Sequence, residues 1–194
     1  MNFQNVEFLI SAAAPKDFPA KQLPEIAFAG KSNVGKSSVI NRLLQRKSMA
    51  KVGDKPGKTV HVNYFLLDKQ CYLVDLPGYG FAKVPQAEKD RWAKLMEDYF
   101  AANRITLGVL IVDYRHPPTN NDITMAKWFL DSGCPFVVLA NKKDKLKKSE
   151  LEPNLALIRQ DLELPENCPV IPFSAEKGDG RDELVKQILR AVKM

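Results

Sequence analysis

The stretch Gly30-Lys31-Ser32-Asn33-Val34-Gly35-Lys36-Ser37 constrains the fold of this 194-residue chain more than any other. It joins the apolar run Glu25 to Ala29 to a helical stripe formed by Val39, Ile40, Leu43 and Leu44. A strand must therefore pass into a helix through a tight turn. Gly30 and Gly35 permit that turn and let successive backbone N–H groups converge, and the following helix N-terminus adds partial positive charge. Such a nest receives anionic oxygens, and G-x-x-x-x-G-K-[ST] is the pattern of a phosphate-binding loop. Lys36 is expected to span β- and γ-phosphates and the Ser37 hydroxyl to ligate Mg²⁺, with Lys31, Ser32, Asn33, Val34 and Ser38 completing the loop.

From Glu25 onward, short apolar runs alternate with helical patterns, which predicts an α/β fold with a mostly parallel six-stranded sheet and helices on both faces. The runs are Glu25 to Ala29, Val62 to Leu67, Cys71 to Val74, Thr106 to Val112, Pro135 to Ala140 and Val170 to Phe173. The short Asp68-Lys69-Gln70 connection permits a hairpin, so the second and third runs are expected to be antiparallel. Trp92, Leu95, Met96, Tyr99 and Phe100 form a second helical stripe, and Leu184, Val185, Ile188, Leu189 and Val192 a third. Residues 23–194 read as one domain. Residues 1–22 read as an arm packing on it, with Pro15, Pro19 and Pro24 opposing regular structure.

Lys and Arg number 29 against 23 Asp and Glu, a formal charge of +6 that favours anionic partners. A solvated lysine surface and nucleic-acid binding fit this equally. Cys71, Cys134 and Cys168 are far apart and lie in apolar runs, as reduced core thiols of a cytoplasmic protein would. The segment from Val6 to Ala14 carries Glu7 and has no basic leader, so it makes a poor signal peptide. No run reaches the about 20 apolar residues that a membrane helix needs.

Asp75-Leu76-Pro77-Gly78 ends the Cys71 run. After a phosphate loop, Asp75 can reach a magnesium-bound water, and the Gly78 N–H can sense a γ-phosphate. The nucleobase is read elsewhere. Asn141-Lys142-Lys143-Asp144 ends the Pro135 run, and an Asp carboxylate accepts both N1–H and the N2 amine of guanine, a donor pair that adenine lacks. Asn141 would tie this loop to the phosphate loop, with the Lys142 stem along the ring. Phe173-Ser174-Ala175 adds a loop whose Ala175 N–H could meet guanine O6. Gly30, Asp75, Asn141 and Ser174 all fall just past carboxyl ends of predicted strands, the edge at which open α/β sheets bind ligands.

In this order the motifs resemble translation-factor-related P-loop GTPases. The signatures Leu23-Pro24-Glu25-Ile26-Ala27-Phe28-Ala29 with the phosphate loop, and Asp75-Leu76-Pro77-Gly78-Tyr79-Gly80-Phe81-Ala82-Lys83, look like those of the bacterial EngB (YihA/YsxC) family. The Arg115-His116-Pro117-Pro118 loop is similar too, and Lys31 stands where many members have Arg. The resemblance implies a G domain and a cytoplasmic, monomeric GTPase that binds GTP and GDP. It also implies a role in assembling the large ribosomal subunit, with its precursor and rRNA as partners, and a need for the protein in normal growth and division. It places switch I at Gly57-Lys58-Thr59-Val60-His61, with Thr59 as the second protein ligand of Mg²⁺. Lys36, Thr59 and Gly78 are then the residues expected to act on the γ-phosphate.

Many small GTPases orient the attacking water with a Gln after D-x-x-G; here the residue is Tyr79, a poor substitute. His61 and His116 read as loop residues, so slow intrinsic hydrolysis is expected. Two other readings stay open: a nucleotide-dependent binding module with incidental hydrolysis, and a small-molecule kinase, which Asn141 to Asp144 disfavours. Asn33 could help hold K⁺ against the phosphates or could simply tolerate a tight loop. Arg46, Lys47, Lys51, Lys55 and Lys58, with Lys142, Lys143, Lys145, Lys147 and Lys148, should concentrate positive charge on the strand-end face.

Overall fold

Each apolar run from Glu25 onward becomes a strand within a residue or so of its expected limits. The structure is a computed structural model that describes residues 1–50, 60–80 and 84–193. In chain order the strands are β1 (Val6–Ala12), β2 (Glu25–Gly30), β3 (Val62–Leu67), β4 (Cys71–Asp75), β5 (Ile105–Asp113), β6 (Phe136–Asn141) and β7 (Val170–Pro172). They form one sheet in the order β1-β3-β4-β2-β5-β6-β7. β4, β2, β5, β6 and β7 run parallel, so their carboxyl ends share one edge. β3 is antiparallel to β4, and Asp68 and Lys69 turn between them at φ 49° and 57°, the two left-handed positions of a tight hairpin.

The seventh strand, beyond the six expected, comes from residues 1–22. β1 pairs antiparallel with β3 along the sheet edge, with a register shift between Phe8 and Ile10. That irregularity breaks the apolar alternation and leaves Phe8 and Leu9 exposed, so the segment does not read as a strand. The prolines act after it. Phe18 packs edge-on to Tyr99 and tilted against Tyr64, and Arg104 donates to Pro19 O at 2.9 Å. Arg104 also pairs with Glu25 at 2.6 Å, and the Tyr99 hydroxyl donates to Glu25 at 2.9 Å. Burial nonetheless keeps the Glu25 carboxyl above its ordinary range.

The helices are α1 (Lys36–Leu44), α2 (Gln86–Ala101), α3 (Asn120–Asp131), α4 (Lys148–Asp161) and α5 (Arg181–Lys193). β2 explains their division. Ile26 and Phe28 face a core with Val39, Ile40, Leu43 and Leu44 of α1 and Leu184 and Ile188 of α5. Ala27 and Ala29 face the other core, with Leu95, Met96 and Tyr99 of α2, Met125 and Phe129 of α3 and Ile158 of α4. Every residue of β2, β4 and β6 is buried, as cover on both faces requires. Cys71 and Cys168 are buried free thiols, pushed up by burial to about 12 and about 11. Among the described residues, no helix is long and apolar enough to cross a membrane.

Candidate functional site

Gly30, Asp75, Asp113 and Asn141 are the last residues of β2, β4, β5 and β6. The parallel register sets all four on one edge, and the loops after them build the site. Gly30 is required by packing: a Cβ there would lie 2.8 Å from Val34 Cγ1 and 3.1 Å from Ile111 O. The loop then folds on itself, with Val34 N–H donating to Lys31 O at 3.1 Å and Ser32 N–H to Tyr79 O at 2.8 Å. Asn33 and Gly35 take φ of 64° and 99°. Asn tolerates the left-handed region, which is one reason for Asn at position 33. Gly35 caps α1, whose first turn carries Lys36, Ser37 and Ser38, all half-buried.

Lys36 forms an ion pair with Asp75, and both side chains are mostly buried. Leu76 extends the edge of β4, its N–H donating to Phe28 O at 3.0 Å. Pro77 O accepts the Trp92 indole N–H at 3.1 Å, and Gly78 has room above Ser32. The Tyr79 backbone pairs with the phosphate loop, but its side chain is tied to α3. Its hydroxyl donates to Asp122 Oδ1 at 2.7 Å, while Asp122 Oδ2 accepts the Thr119 N–H at the start of α3 at 2.8 Å. Burial first, then the Asp122 charge, holds the Tyr79 phenol well above its ordinary range.

Asn141 joins three loops. Its Nδ2 donates to Val34 O at 3.0 Å, and its Oδ1 accepts the Ala175 N–H at 3.2 Å. Lys142, at φ 73°, donates to Asn33 O at 3.3 Å and to Asp113 Oδ2 at 2.9 Å. Burial alone would raise the Asp113 carboxyl, but hydrogen bonds from Arg115 and Lys142 outweigh it and hold Asp113 well below the usual carboxylate range. The Lys143 N–H donates to Phe173 O at 3.0 Å, and Ser174 Oγ donates to Asp144 Oδ1 at 2.6 Å. That bond, with Lys145 at 3.1 Å, keeps Asp144 ionised to lower pH than usual. The strand-end edge thus brings together the phosphate loop, the D-x-x-G turn and the two loops expected to face a nucleobase.

Known proteins agree with this geometry. The sequence model of the family described as 50S ribosome-binding GTPase matches residues 25–142. A probable GTP-binding protein EngB from Pelotomaculum thermopropionicum is 45% identical over 193 residues, covering 99% of this chain and 98% of that protein. The chain belongs to the EngB family of P-loop GTPases. A second EngB, from Oceanobacillus iheyensis, is 42% identical over 194 residues, the whole of both chains. The crystal structure of a probable GTP-binding protein EngB superposes with a TM-score of 0.70 at 26% identity, covering 87% of this chain and 98% of that one. The FeoB G-domain from Methanococcus jannaschii gives 0.58 at 27% identity, covering 90% of this chain and 100% of that one.

EngB membership makes the chain a GTPase and removes the small-molecule kinase reading. Gly57, Lys58 and Thr59, expected as switch I, lie outside the described residues, as do Phe81, Ala82 and Lys83. The expected concentration of positive charge is reduced at the guanine loop. Lys142 is paired with Asp113, Lys143 with Asp179 at 3.4 Å, and Lys145 with Asp144 and Glu176. Lys147 and Lys148 make no ion pair among the described residues.

Sequence reasoning missed Asp113, Asp122 and Arg42. Asp113 had a signal, a carboxylate just past the Thr106 to Val112 run, on the same edge as the other motifs. Asp122 had only the T-x-x-D capping pattern that marks a helix start, with no sign of its bond to Tyr79, and Arg42, at an ordinary helical position, had no signal. Arg42 nevertheless reaches the last loop, its Nε and a terminal nitrogen donating to Ala175 O and Glu176 O, each at 2.6 Å.

Proposed function

We propose that this EngB-family GTPase is a GTP-controlled assembly factor for the large ribosomal subunit, monomeric, cytoplasmic and needed for normal cell division. The observation that carries the switch reading is the burial of the Tyr79 hydroxyl on Asp122. The side chain that follows D-x-x-G is committed to the protein interior and cannot orient a water. Intrinsic hydrolysis is therefore slow, and charge supplied by a partner at the β,γ-bridging oxygen accelerates it. The description of the matching family as a 50S ribosome-binding GTPase supports the ribosomal partner.

The residues fit Mg²⁺. Among the described residues no group of three or more His, Cys, Asp or Glu could hold a metal, and a sparse set of one hydroxyl and one carboxylate suits an ion that keeps its waters and takes phosphate oxygens. Ser37 would ligate it directly and Asp75 through water, with Thr59 as a further ligand. Bound there, it neutralises charge on the β- and γ-oxygens. Lys36 exchanges Asp75 for phosphate, Asp144 accepts the guanine donors and Ala175 N–H meets O6. Faster hydrolysis in K⁺ than in Na⁺ would support a cation held by Asn33, and equal rates would leave its loop role.

Co-sedimentation with large-subunit precursors at graded salt tests the function. Retention with a GTP analogue and release with GDP is expected. Contacts from Lys147, Lys148 and the basic residues from Arg46 to Lys58 to RNA phosphates should each contribute a slope of about −0.7 to −0.9 in log affinity against log salt. Equal retention in both states would overturn the switch reading. Turnover that particles leave unchanged would favour a binding module with incidental hydrolysis.

A further inference from the structure

Arg42 stands six residues after Lys36 on the helix that opens from the phosphate loop, about 9 Å along its axis. Its fork crosses to the Ser174 to Lys177 loop, where Nε–H donates to Ala175 O and a terminal N–H to Glu176 O, both at 2.6 Å. The two peptide planes that follow the Ala175 Cα are thus fixed by one rigid, charged group, which a lysine ammonium cannot reproduce, and the first of them adjoins the plane that carries the Ala175 N–H. On the other side of Ala175, Asn141 Oδ1 accepts its N–H at 3.2 Å while Asn141 Nδ2 holds Val34 O. The Ala175 backbone is therefore gripped from the phosphate loop through Asn141 and from the phosphate helix through Arg42. The helix end that carries Arg42 is itself held: Arg181 of α5 donates to Arg42 O at 3.3 Å and to Leu43 O at 3.0 Å.

We propose that Arg42 is a positioning residue for base recognition: by fixing the carbonyl side of Ala175 it holds the adjoining N–H in place when the carbonyl of the purine ring replaces Asn141 Oδ1 as its acceptor, and it ties that contact to the phosphate-binding helix. The inference rests on the guanine-site reading above and assigns the specificity for the six-position oxygen to a side chain outside every motif. A purely structural Arg42 would pin the loop without affecting one base atom more than another.

The test is calorimetric titration of the full chain with GDP, 6-thio-GDP and IDP. 6-Thio-GDP replaces the ring oxygen by a weak acceptor, and IDP keeps that oxygen but lacks the amine facing Asp144. Arg42→Met should weaken GDP by about tenfold, the size of a charge-assisted contact. The GDP preference over 6-thio-GDP should shrink by a similar factor, and the preference over IDP should hold. Arg42→Lys, able to serve one carbonyl, should fall between, and it carries the same comparison if the Met variant does not fold. Equal weakening of all three nucleotides, or unchanged GDP affinity, would overturn the proposal. A wild-type chain without preference for GDP over 6-thio-GDP would instead reject the Ala175 contact on which it rests.

Discussion

The Tyr79 hydroxyl donates to Asp122 Oδ1 over 2.7 Å, and both residues are buried. The bond links the turn after D-x-x-G to the start of α3 and commits the phenol to the protein interior. Tyr79→Phe should therefore cost about 1–3 kcal/mol of stability, because a buried carboxylate oxygen loses its donor. Single-turnover GTP hydrolysis should stay within about twofold, the scatter expected when no group at the reacting centre is removed. Thermal unfolding and rapid-quench rates check the two halves; a large loss of rate in a stable variant would put the phenol in the chemistry. The raised Tyr79 pKa adds a sign: its contribution is complete below its ordinary 10.0 and is lost as pH rises through the higher folded value.

Gly35 joins the phosphate loop to the base loop by what it lacks. A Cβ there would lie 2.6 Å from Asn141 Nδ2, at a backbone φ of 99° that L-residues avoid. Gly35→Ala should displace the Asn141 amide from Val34 O and strain the turn by about 1–3 kcal/mol. GDP affinity should fall at least about tenfold, the equivalent of about 1.4 kcal/mol. Titration on a variant whose folded state is verified by circular dichroism checks this, and wild-type affinity would show that the loop can yield.

Asp113 holds Lys142 at 2.9 Å and Arg115 at 2.8 Å. Asp113→Asn should release the Lys142 stem and weaken GTP and GDP alike, while in a Lys142→Ala background the same change should do little. Because the folded-state pKa of Asp113 is depressed, its stabilisation is present above its ordinary 3.8 and lost as pH falls through the lower folded value. The stability gap between wild type and Asp113→Asn should thus close below about pH 4. Urea unfolding at graded pH measures it; a gap constant down to low pH would mean that packing, not charge, holds the site.

The strand ends were legible because period-two and continuous apolar runs stop where glycine and carboxylates begin, as at Gly30 and Asp75. α3 and α4 were harder to see. α4 carries Pro153 within it and buries only Ile158, so no stripe stands out. β1 was hidden by its irregular register at Leu9. The site divides the same way. Residues acting through their position in a short loop, such as Ser174 and Asn141, were readable from spacing. Arg42 and Asp122 act across 133 and 43 residues of sequence, and only the folded sheet with its helices brings them to Ala175 and Tyr79.

Asp144 is held ionised to lower pH than an ordinary carboxylate. Ser174 Oγ donates to Oδ1 at 2.6 Å and Lys145 pairs with Oδ2 at 3.1 Å, and both hold its pKa below the ordinary value. An ionised carboxylate only accepts, so it matches the N1–H and amine donors of guanine. Asp144→Asn supplies a donor and an acceptor, which fits xanthine, where an oxygen replaces the amine. GTP affinity should fall by about 100-fold or more, since a site built for paired donors is left mismatched, and xanthosine triphosphate should become the preferred ligand. Ser174→Ala should produce a smaller loss without inverting the preference, because it removes the bond that orients the carboxylate but leaves the acceptor. Competition titrations with both nucleotides decide the matter: an Asp144→Asn chain that still prefers GTP would take base reading away from this residue.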